Sequence, residues 1–336
     1  MKILAIESSC DETAAAIVED GVHLISSSIA SSADLHEKTG GVVPEVAARK
    51  QVESIVPVIE DTLNLAKMTI EDVDALAVTV GPGLIGSLVV GVAATKSLAL
   101  ATNKPLIPVN HLVGHMYANW VDIAADTEPQ FPAIVLIVSG GHTDLILMKD
   151  HGDFEFLGGT LDDAAGEAFD KTARLLNIKK YLGGPALSKI AGSCTDNKML
   201  GRLPRPKIKD DDFDFSFSGL KTAVMRIVEK GDFELESLAC EFEAAAVDVL
   251  VEKTKKAAMK HKVKSVLLGG GVAANTQLRS RIQHDLKKEG INVHIPPINL
   301  CTDNAIYIAS AAYFNKVEKD LKDIKANPSL GIMDSV

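Results

Sequence analysis

Short apolar runs alternate with amphipathic stretches along the whole chain, a pattern that predicts strands and helices in turn. Three consecutive strands are expected at 3–7, 13–18 and 22–30, followed by a helical pattern from Pro44 to about Lys67. A buried strand at 75–80 then precedes an apolar helix at 84–101. This order predicts a layered α/β protein.

The supersecondary unit that opens the chain recurs near its middle. Residues 134–147 (IVLIVSGGHTDLIL) repeat the order of residues 3–18 (ILAIESSCDETAAAIV), namely apolar strand, turn of small and polar residues, and second apolar strand. Just before the repeat, prolines interrupt the apolar periodicity, so a linker is expected at 124–132. The duplication predicts two similar lobes facing each other across a cleft.

Composition narrows the class of protein. A chain of 336 residues favours two domains, and its net charge of −10 argues against a nucleic-acid binder that acts without a local basic patch or a basic partner. Four scattered cysteines without CxxC spacing argue against both a zinc ribbon and a secreted disulfide framework, and they favour a reducing cytoplasm. Because Lys96 interrupts the apolar run at 88–101, and the chain opens on a strand, no membrane span or signal peptide is expected.

Two histidines four residues apart are the most informative chemical feature. His111 and His115, in NHLVGH at 110–115, begin a predicted helix, so both imidazoles lie on one face and can bind one metal. Zinc peptidases carry a glutamate base after the first histidine, and Leu112 stands there instead. The alternative is a pair of surface or capped histidines at the start of a helix.

Asp303 is the candidate third ligand. It precedes another helical pattern, so its alternative role is to cap that helix. A set of two histidines and one aspartate leaves open positions for substrate or water. Such a set suits iron or zinc better than magnesium.

Three turns of small residues, at 8–13, 139–143 and 269–275, resemble the phosphate and adenosine loops of the actin, Hsp70 and sugar-kinase (ASKHA) superfamily. Their order and duplication predict an adenine-nucleotide pocket. In the first turn, Asp11 and Glu12 are candidates to orient a magnesium ion, a water or a ligand hydroxyl. The alternative is a turn whose aspartate only hydrogen-bonds its own backbone.

Two basic clusters are candidate nucleic-acid contacts. The first is a loop for which a nucleic-acid contact and an ordinary exposed loop are equally supported; it contains Lys198, Arg202, Arg205, Lys207 and Lys209. The second is interpreted as the solvated face and end of a helix; it contains Lys253, Lys255, Lys256, Lys260, Lys262 and Lys264.

Eight motifs, spread in order over nearly the whole chain, closely resemble the bacterial TsaD branch of the TsaD/Kae/Qri family, formerly described as glycoproteases. They are AIESSCDET at 5–13, HEKTGGVVPE at 36–45, NHLVGH at 110–115, VSGGHT at 138–143, DDAAGEAFD at 162–170, FSFSGLKT at 215–222, GGGVAAN at 269–275 and CTDN at 301–304. In one departure, Val113 stands where many bacterial relatives have an acid. That change affects a contact behind the histidines and leaves their spacing intact.

The resemblance implies a duplicated, two-lobe ASKHA fold with a cleft between the lobes. The N-terminal lobe is expected at 1–130, completed by about 306–336, and the C-terminal lobe at 131–305. The implied activity is a metal-dependent transfer of the threonylcarbamoyl group from L-threonylcarbamoyl-AMP to N6 of adenosine 37, beside the anticodon, in tRNAs reading ANN codons. AMP is the product released.

Carried over motif by motif, the resemblance also assigns individual residues. One divalent metal, iron(II) in preference to zinc(II), is held by His111, His115 and Asp303. Asp11 and Glu12 are acids required for activity. The adenylate pocket, with Mg²⁺ as a further candidate beside the nucleotide, is lined by Val138, Ser139, Gly140, Gly141, His142, Asp170, Gly183 and Asn275.

This chemistry is physically consistent with the residues. A mixed anhydride of a carbamate and AMP is already activated, so the protein mainly holds the carbamoyl carbon against a weak aromatic amine and stabilises oxyanion charge. A metal suits that task because it polarises a carbonyl. The sequence does not single out the base that takes the amine proton.

The resemblance further implies partners: tRNA, a TsaB-like paralogue that forms a heterodimer, a TsaE-like ATPase, and a TsaC/Sua-type enzyme that makes the adenylate. Because this chain has a net charge of −10, we expect tRNA to bind a surface that the chain and its partners form together. Three rival functions are an ATPase or kinase of the same fold, a metallopeptidase, and a non-catalytic scaffold. An ATPase or kinase would not need His111 or His115. A metallopeptidase would need the glutamate that this chain lacks at position 112. A scaffold would be expected to have lost the three ligands, which this chain keeps.

Overall fold

The computed structural model describes residues 1–179, 181–317 and 319–336. The chain forms two compact units, the first comprising Met1–Glu128 with Asn299–Val336 and the second Pro129–Ile298. The first crossing between them lies inside the segment predicted as a linker. Residues 299–305, however, belong to the first unit, whereas the sequence-based assignment placed them in the second.

The first unit contains a five-stranded sheet. Its strands are β1 (Lys2–Glu7), β2 (Glu12–Glu19), β3 (His23–Ser31), β4 (Ala75–Gly81) and β5 (Leu106–Asn110), in the spatial order β3-β2-β1-β4-β5. The three leading strands pair antiparallel, and β4 and β5 continue the sheet in parallel with β1. The four strands predicted in this unit are confirmed, each within one residue at either end.

Four helices follow the strands of this sheet: α1 (Ala33–Thr39), α2 (Pro44–Ala66), α3 (Ile85–Thr102) and α4 (His111–Tyr117). Pro44 occupies the first turn of α2, where its missing N–H costs nothing. A capping box joins Thr69 and Asp72 at the short 3₁₀ helix Ile70–Asp72, a pairing that the three-residue spacing of a threonine and an acid in the sequence favours. Helices α2 and α3 lie within one residue of the positions predicted at 44–67 and 84–101, so both predictions are confirmed.

The second unit repeats the same topology. Its strands are β6 (Ala133–Val138), β7 (Thr143–Asp150), β8 (Asp153–Gly159), β9 (Ser265–Gly269) and β10 (Asn292–His294). Its helices are α5 (Ala165–Leu175), α6 (Gly183–Ala191), α7 (Ser218–Lys230), α8 (Leu235–His261) and α9 (Thr276–Lys287). The strand order β8-β7-β6-β9-β10 matches that of the first unit strand for strand. The internal duplication is therefore confirmed.

After the second unit the chain returns to the first through α10 (Ile306–Phe314). This helix is buried along most of its length and packs against α4 and β1. The segment leading into α10 is anchored with it, which explains why the return begins at residue 299. The remaining short 3₁₀ helices are Ala125–Thr127, Gly271–Ala274, Ile298–Leu300 and Leu321–Asp323.

Helix α3 is unusually apolar. Within the part of the chain that the structure describes, it is the one helix whose length and composition would allow it to cross a membrane. One side of it is buried against β4 and α2, with Leu88 fully enclosed. The opposite side leaves Ile85, Val89 and Leu100 exposed. The helix is thus half core and half apolar surface.

Candidate metal and nucleotide sites

The two histidines lie at the C-terminal end of β5, where α4 begins. The Asn110 side chain accepts a hydrogen bond from the backbone N–H of Leu112 at 2.9 Å, which caps the helix and makes His111 its first residue. His111 is 8% exposed and His115 is 1% exposed. They are therefore buried side chains, which removes the alternative of a pair of surface histidines.

Asp303 faces both rings. Its Oδ1 lies 3.5 Å from the Nε2 of His111 and 3.5 Å from the Nε2 of His115. The neighbouring Asn304, not Asp303, accepts a hydrogen bond from the Ile306 N–H at 3.0 Å at the start of α10. The capping role weighed for Asp303 thus falls to Asn304, and Asp303 is left for the histidines.

The spacing of these three side chains suits a metal better than direct hydrogen bonds. Metal–ligand bonds of about 2.1 Å in tetrahedral geometry separate neighbouring ligand atoms by about 3.4 Å. The observed 3.5 Å separations match that value and are long for a hydrogen bond. The donor set of two imidazoles and one carboxylate lies with its ligand atoms within 4.8 Å of one another. The residues therefore fit a divalent transition metal.

Glu7, which the sequence analysis did not single out, supports this set from behind. It ends strand β1, is completely buried, and its Oε2 lies 3.0 Å from the Nδ1 of His111. The same carboxylate accepts hydrogen bonds from the Thr79 hydroxyl and the Ser9 N–H, both at 2.5 Å. The sequence does carry a signal for Glu7: it is the one acid in the apolar run KILAIE at 2–7. An acid in an otherwise buried strand needs a partner that satisfies its charge.

The charges of this cluster are interdependent. Burial opposes ionisation of Glu7, but attraction to His111 outweighs it and the pKa of Glu7 lies below its ordinary value. Burial likewise opposes the charged form of His111, whose pKa is nonetheless raised by Glu7 and Asp303. The pKa of His115 is lowered, chiefly by burial. The two histidines, four residues apart, thus experience opposite electrostatic environments.

Gly114, between the two histidines, is required by packing. A Cβ there would lie 2.7 Å from Cδ1 of Ile308 and 2.8 Å from Cδ2 of Tyr307, both on α10. The Tyr307 ring also packs against His115, with their centroids 4.7 Å apart. Glycine lets α10 approach α4 closely, which brings Asp303 to the histidines. Val113 is buried beside it.

The turn carrying Asp11 and Glu12 joins β1 to β2. Gln51 of α2 donates from Nε2 to the carbonyl oxygens of Cys10 at 2.9 Å and Glu12 at 3.1 Å, which holds the turn in place. Glu12 accepts a hydrogen bond from the Ser31 hydroxyl at 3.2 Å. Burial, and then the neighbouring Asp11, raise the pKa of Glu12 to about 9. This shift favours the protonated form of Glu12 in the metal-free chain.

In the second unit the predicted glycine turn joins β6 to β7. The Ser139 N–H donates to the His142 carbonyl at 2.9 Å, which closes the turn. No heavy atom lies within 4 Å of a Cβ placed on Gly140 or Gly141, so this backbone is open to a ligand. Val138, by contrast, has a fully buried side chain. It can offer a ligand only its backbone.

Asp170 and Gly183 are brought together. The Asp170 Oδ1 accepts a hydrogen bond from the Gly184 N–H at 2.7 Å, at the start of α6. A Cβ on Gly183 would lie 2.5 Å from the Cβ of Ala173, so glycine is needed for α6 to pack on α5. The pKa of Asp170 is raised, mainly by burial.

Asn275 occupies the turn before α9. Its Nδ2 contacts Ser188 Oγ at 3.0 Å and Glu243 Oε1 at 2.6 Å, and its Oδ1 caps α9 by accepting from the Leu278 N–H at 2.8 Å. Both amide hydrogens and one acceptor position are therefore engaged. Asn275 links α6, α8 and α9, and one lone pair of its oxygen is left for a ligand.

The basic loop is largely neutralised within its own unit. Lys198 pairs with Glu234, Arg205 with Glu241 and Asp248, and Lys207 with Asp210 and Asp212. These contacts favour a structural loop over a nucleic-acid contact. In the second cluster, Lys253 differs from the predicted solvated face because it is fully buried, donating to Asp212.

Comparison with known proteins places the chain among modification enzymes of tRNA. It matches the family model TsaD, tRNA N6-adenosine threonylcarbamoyltransferase, over residues 23–310. A protein of that name from Dehalococcoides mccartyi (strain CBDB1) is 50% identical over 335 residues, covering 99% of each chain. Another from Symbiobacterium thermophilum is 50% identical over 337 residues, covering 98% of this chain and 96% of the relative.

Solved structures with low sequence identity share the fold. Full-length HypF in its phosphate- and nucleotide-bound form has a TM-score of 0.62 at 15% identity, covering 94% of this chain and 55% of HypF. Component A of the (R)-2-hydroxyglutaryl-CoA dehydratase of Acidaminococcus fermentans has a TM-score of 0.53 at 18% identity, covering 94% and 96%. With the duplicated sheets, these likenesses confirm the predicted two-lobe ASKHA fold.

The electrostatics beside the glycine turn give a prediction for Asp144. Burial raises the pKa of this carboxyl from 3.8 to about 6. Because the unfolded chain gives up the proton more readily, stability decreases as the pH rises from about 4 to 6 and stays lower above that range. We expect Asp144→Asn to increase the free energy of unfolding at pH 8 by about 1 to 3 kcal/mol and to have little effect at pH 4.

Urea unfolding at the two pH values measures this difference, with Asp153→Asn at an exposed position as the matched control. An equal gain at both pH values would assign the effect to packing of the amide instead of removal of the charge.

Proposed function

The chain belongs to the TsaD family of tRNA N6-adenosine threonylcarbamoyltransferases, and on that premise we propose how its own residues perform the reaction. The activity is transfer of the threonylcarbamoyl group from L-threonylcarbamoyl-AMP to N6 of adenosine 37 in tRNAs reading ANN codons, with release of AMP. The observation that carries the assignment of the site is the convergence of His111, His115 and Asp303 in the first unit.

These three residues would hold one divalent metal, for which iron(II) is the proposed ion and zinc(II) the alternative. Imidazole and carboxylate ligands in a three-residue set that leaves open positions are typical of both. When bound, such an ion supplies a Lewis acid that holds the threonyl moiety and polarises the carbamoyl carbonyl. Leu112, in place of a glutamate base, agrees with group transfer and gives no support to a peptidase.

We assign the adenylate to the second unit. The open backbone of Gly140 and Gly141 would accept the nucleotide, and Gly183 with the neighbouring Asp170–Gly184 hydrogen bond would shape a second wall of its pocket. Asn275, held by Ser188 and Glu243, would offer its remaining lone pair. Mg²⁺ accompanying the nucleotide belongs to the same proposal. The role of these residues is to fix the activated group and let AMP leave.

Asp11 and Glu12 are the proposed catalytic acids. Asp303 contributes to the raised pKa of Glu12, so the two side chains are close enough to interact electrostatically. A protonated Glu12 donates a hydrogen bond, which suits stabilisation of negative charge developing on the carbamoyl oxygen. Gln51 and Ser31 keep this turn in position without taking part in the chemistry.

For the partners, tRNA is the substrate of the family, and the finer assignments are proposals. A TsaB-like paralogue is proposed to dock on the apolar surface of α2 and α3. On α3 this surface presents Ile85 and Val89, and on α2 it presents Val52 and Val56, each about half exposed or more. Exposed apolar patches of this kind mark protein interfaces. A TsaE-like ATPase and a TsaC/Sua-type synthase complete the proposed system, which we place in the cytoplasm.

Removing the histidines tests the metal assignment directly. A His111→Ala, His115→Ala double variant should form the modified nucleoside at least about 100-fold more slowly, because carbonyl polarisation is lost. The assay supplies threonylcarbamoyl-AMP, unmodified tRNA and the partner proteins, then digests the tRNA and quantifies the nucleoside. The exposed His23→Ala variant is the control. Full product from the double variant would reject the proposed site.

Glu7 should determine how tightly the metal is held. Replacing it by glutamine keeps the shape but removes the charge behind His111, so metal affinity should decrease by about 10- to 100-fold. Competition with a chromogenic chelator measures the affinity, and Glu53→Gln at an exposed position is the control. An affinity equal to that of the unmodified chain would show that Glu7 has only a structural role.

The partner surface is tested by placing a charge on it. Val89 is 49% exposed, so Val89→Glu should leave the fold intact while weakening association with the paralogue at least about tenfold, because the carboxylate would be buried in an apolar interface. Sedimentation and calorimetric titration measure association, and circular dichroism checks folding. Met259→Glu, at an exposed apolar position of the second unit, is the control. Unchanged association would exclude this surface.

A further inference from the structure

Two motifs of the second unit, DDAAGEAFD at 162–170 and FSFSGLKT at 215–222, have residues with no role in the reaction described so far. They lie at the starts of two different helices, α5 and α7, about fifty residues apart in sequence. Their side chains nevertheless meet in one network of hydrogen bonds and ion pairs. The network connects α7 with the open glycine turn at 139–142.

The first link is Asp162. Its Oδ1 accepts hydrogen bonds from the N–H groups of Phe217 at 2.8 Å and Ser218 at 3.2 Å, and its Oδ2 accepts from the Ser216 hydroxyl at 2.6 Å. A carboxylate with three donors at the start of a helix is strongly held, because it satisfies N–H groups that have no partner inside the helix. The segment at 159–163 is thereby fixed to the start of α7.

The second link is Asp163, which is mostly buried. Its Oδ2 pairs with the Lys221 ammonium at 2.6 Å, from α7, and its Oδ1 pairs with the Lys171 ammonium at 2.7 Å, from α5. Lys171 also pairs with Glu167, within its own helix, at 2.7 Å. Of the two lysines, therefore, Lys221 is the one that joins α7 to the acidic segment.

Backbone contacts continue from this segment to the glycine turn. The Thr160 N–H donates to the Thr143 carbonyl at 2.9 Å, and the Ala165 N–H donates to the Thr143 hydroxyl at 2.8 Å. The Gly166 N–H donates to the Ser139 carbonyl at 3.1 Å. These three bonds seat the start of α5 directly on the turn that we propose binds the adenylate.

There is little free space at this junction. A Cβ on Gly166 would lie 2.5 Å from the Ser139 carbonyl oxygen and 2.9 Å from the Cα of Gly140. Phe215 and Phe217 are fully buried on the other side of the segment, with their rings parallel and 6.4 Å apart. A shift of the acidic segment would therefore move the backbone of the turn, because Gly166 is already in close contact with Ser139 and Gly140.

From this chain of contacts we infer that Lys221 is a positioning residue for the adenylate: through Asp163 and the start of α5 it fixes the backbone of Gly140 and Gly141. This inference rests on the proposed assignment of the adenylate to that turn. The inference gives different roles to two lysines that pair with Asp163. Lys221 reaches this carboxylate from α7, whereas Lys171 reaches it from α5, the helix that follows Asp163. Lys221 does not have to touch the substrate.

Affinity for AMP, the reaction product, provides the test. Lys221→Met in the full chain should weaken AMP binding in calorimetric titrations by about three- to tenfold, the effect of losing one partly exposed charged contact. Lys221→Arg should restore most of that affinity, since it keeps the charge and the reach. Lys171→Met is the matched control, because it removes an ion pair of similar length to Asp163 but keeps the Lys221–Asp163 contact from α7. It should bind AMP as the unmodified chain does.

Two further measurements separate positioning from general loss of structure. In the reconstituted reaction, Lys221→Met should increase the KM for threonylcarbamoyl-AMP while the KM for tRNA is unchanged. Amide hydrogen exchange should accelerate at 139–142 and not in the strands of the same sheet. A lower stability of the whole unit would instead accelerate exchange throughout and alter both KM values, which would overturn the inference.

The remaining outcomes also decide the matter. If Lys221→Met binds AMP as tightly as the unmodified chain, or if Lys171→Met weakens binding equally, Lys221 has no specific role and the inference fails while the adenylate assignment stands. If the unmodified chain binds no AMP, or binds it unchanged after Gly140→Val, the adenylate assignment itself fails and the inference fails with it.

Discussion

The carboxylate of Glu7, buried at the end of an otherwise apolar strand, is the interaction on which the geometry of the first unit's site depends. A buried charge without partners costs several kcal/mol, so the fold has to supply donors. It supplies the Thr79 hydroxyl from β4, the Ser9 N–H from the following turn and the His111 ring from α4. Because these donors come from separate elements, satisfying one charge also fixes the elements relative to one another.

That constraint acts on the orientation of His111. With Nδ1 facing Glu7, the ring has one orientation left, in which Nε2 points at Asp303. The position of Asp303 is determined by packing: Gly114 lets α10 approach α4 closely. The candidate metal set therefore depends on one electrostatic and one steric requirement. Neither requirement involves the metal, so the ligands are positioned in advance and less ordering accompanies binding.

The two units show how one topology acquires two kinds of site. Their sheets have the same strand order, and each has its turn after the first strand. In the first unit that strand ends in Glu7 and the turn carries acids, whereas in the second it ends in Val138 and the turn carries glycines. A buried charge and an open backbone at equivalent positions thus distinguish the proposed metal site of the first unit from the proposed nucleotide site of the second. Both units share the duplicated sheet topology, and they differ in a few residues at the ends of their first strands.

Sequence reasoning predicted what depends on local order. The strands of the duplicated hairpins, helices α2 and α3, and the capping box at Thr69 follow from periodicity and short-range hydrogen bonding. The spacing of His111 and His115 likewise places both rings on one helical face. The burial of that face could not be predicted in the same way, because it is imposed by α10, almost two hundred residues further along the chain.

Residues whose role depends on distant partners were missed for the same reason. Glu7 needs His111 and Thr79, Gln51 needs the turn at 8–13, and Lys253 needs Asp212, and none of these pairings has a sequence period. Asp303 and Asn304 show the same limit on a smaller scale. Both are competent to cap a helix, and only the path of the chain into α10 decides that Asn304 does so.

The charge distribution connects the fold to its substrate. The chain carries a net charge of −10, and three cations of the basic loop, Lys198, Arg205 and Lys207, face carboxylates of their own unit. Cations paired in this way contribute little to the field that attracts a polyanion, since the potential of each pair nearly cancels at a distance. Affinity for tRNA then has to come from other cations of the chain or from surfaces that partners add. Because counterion release scales with the number of phosphates neutralised, cations added by the proposed paralogue would raise the affinity of this acidic chain for tRNA.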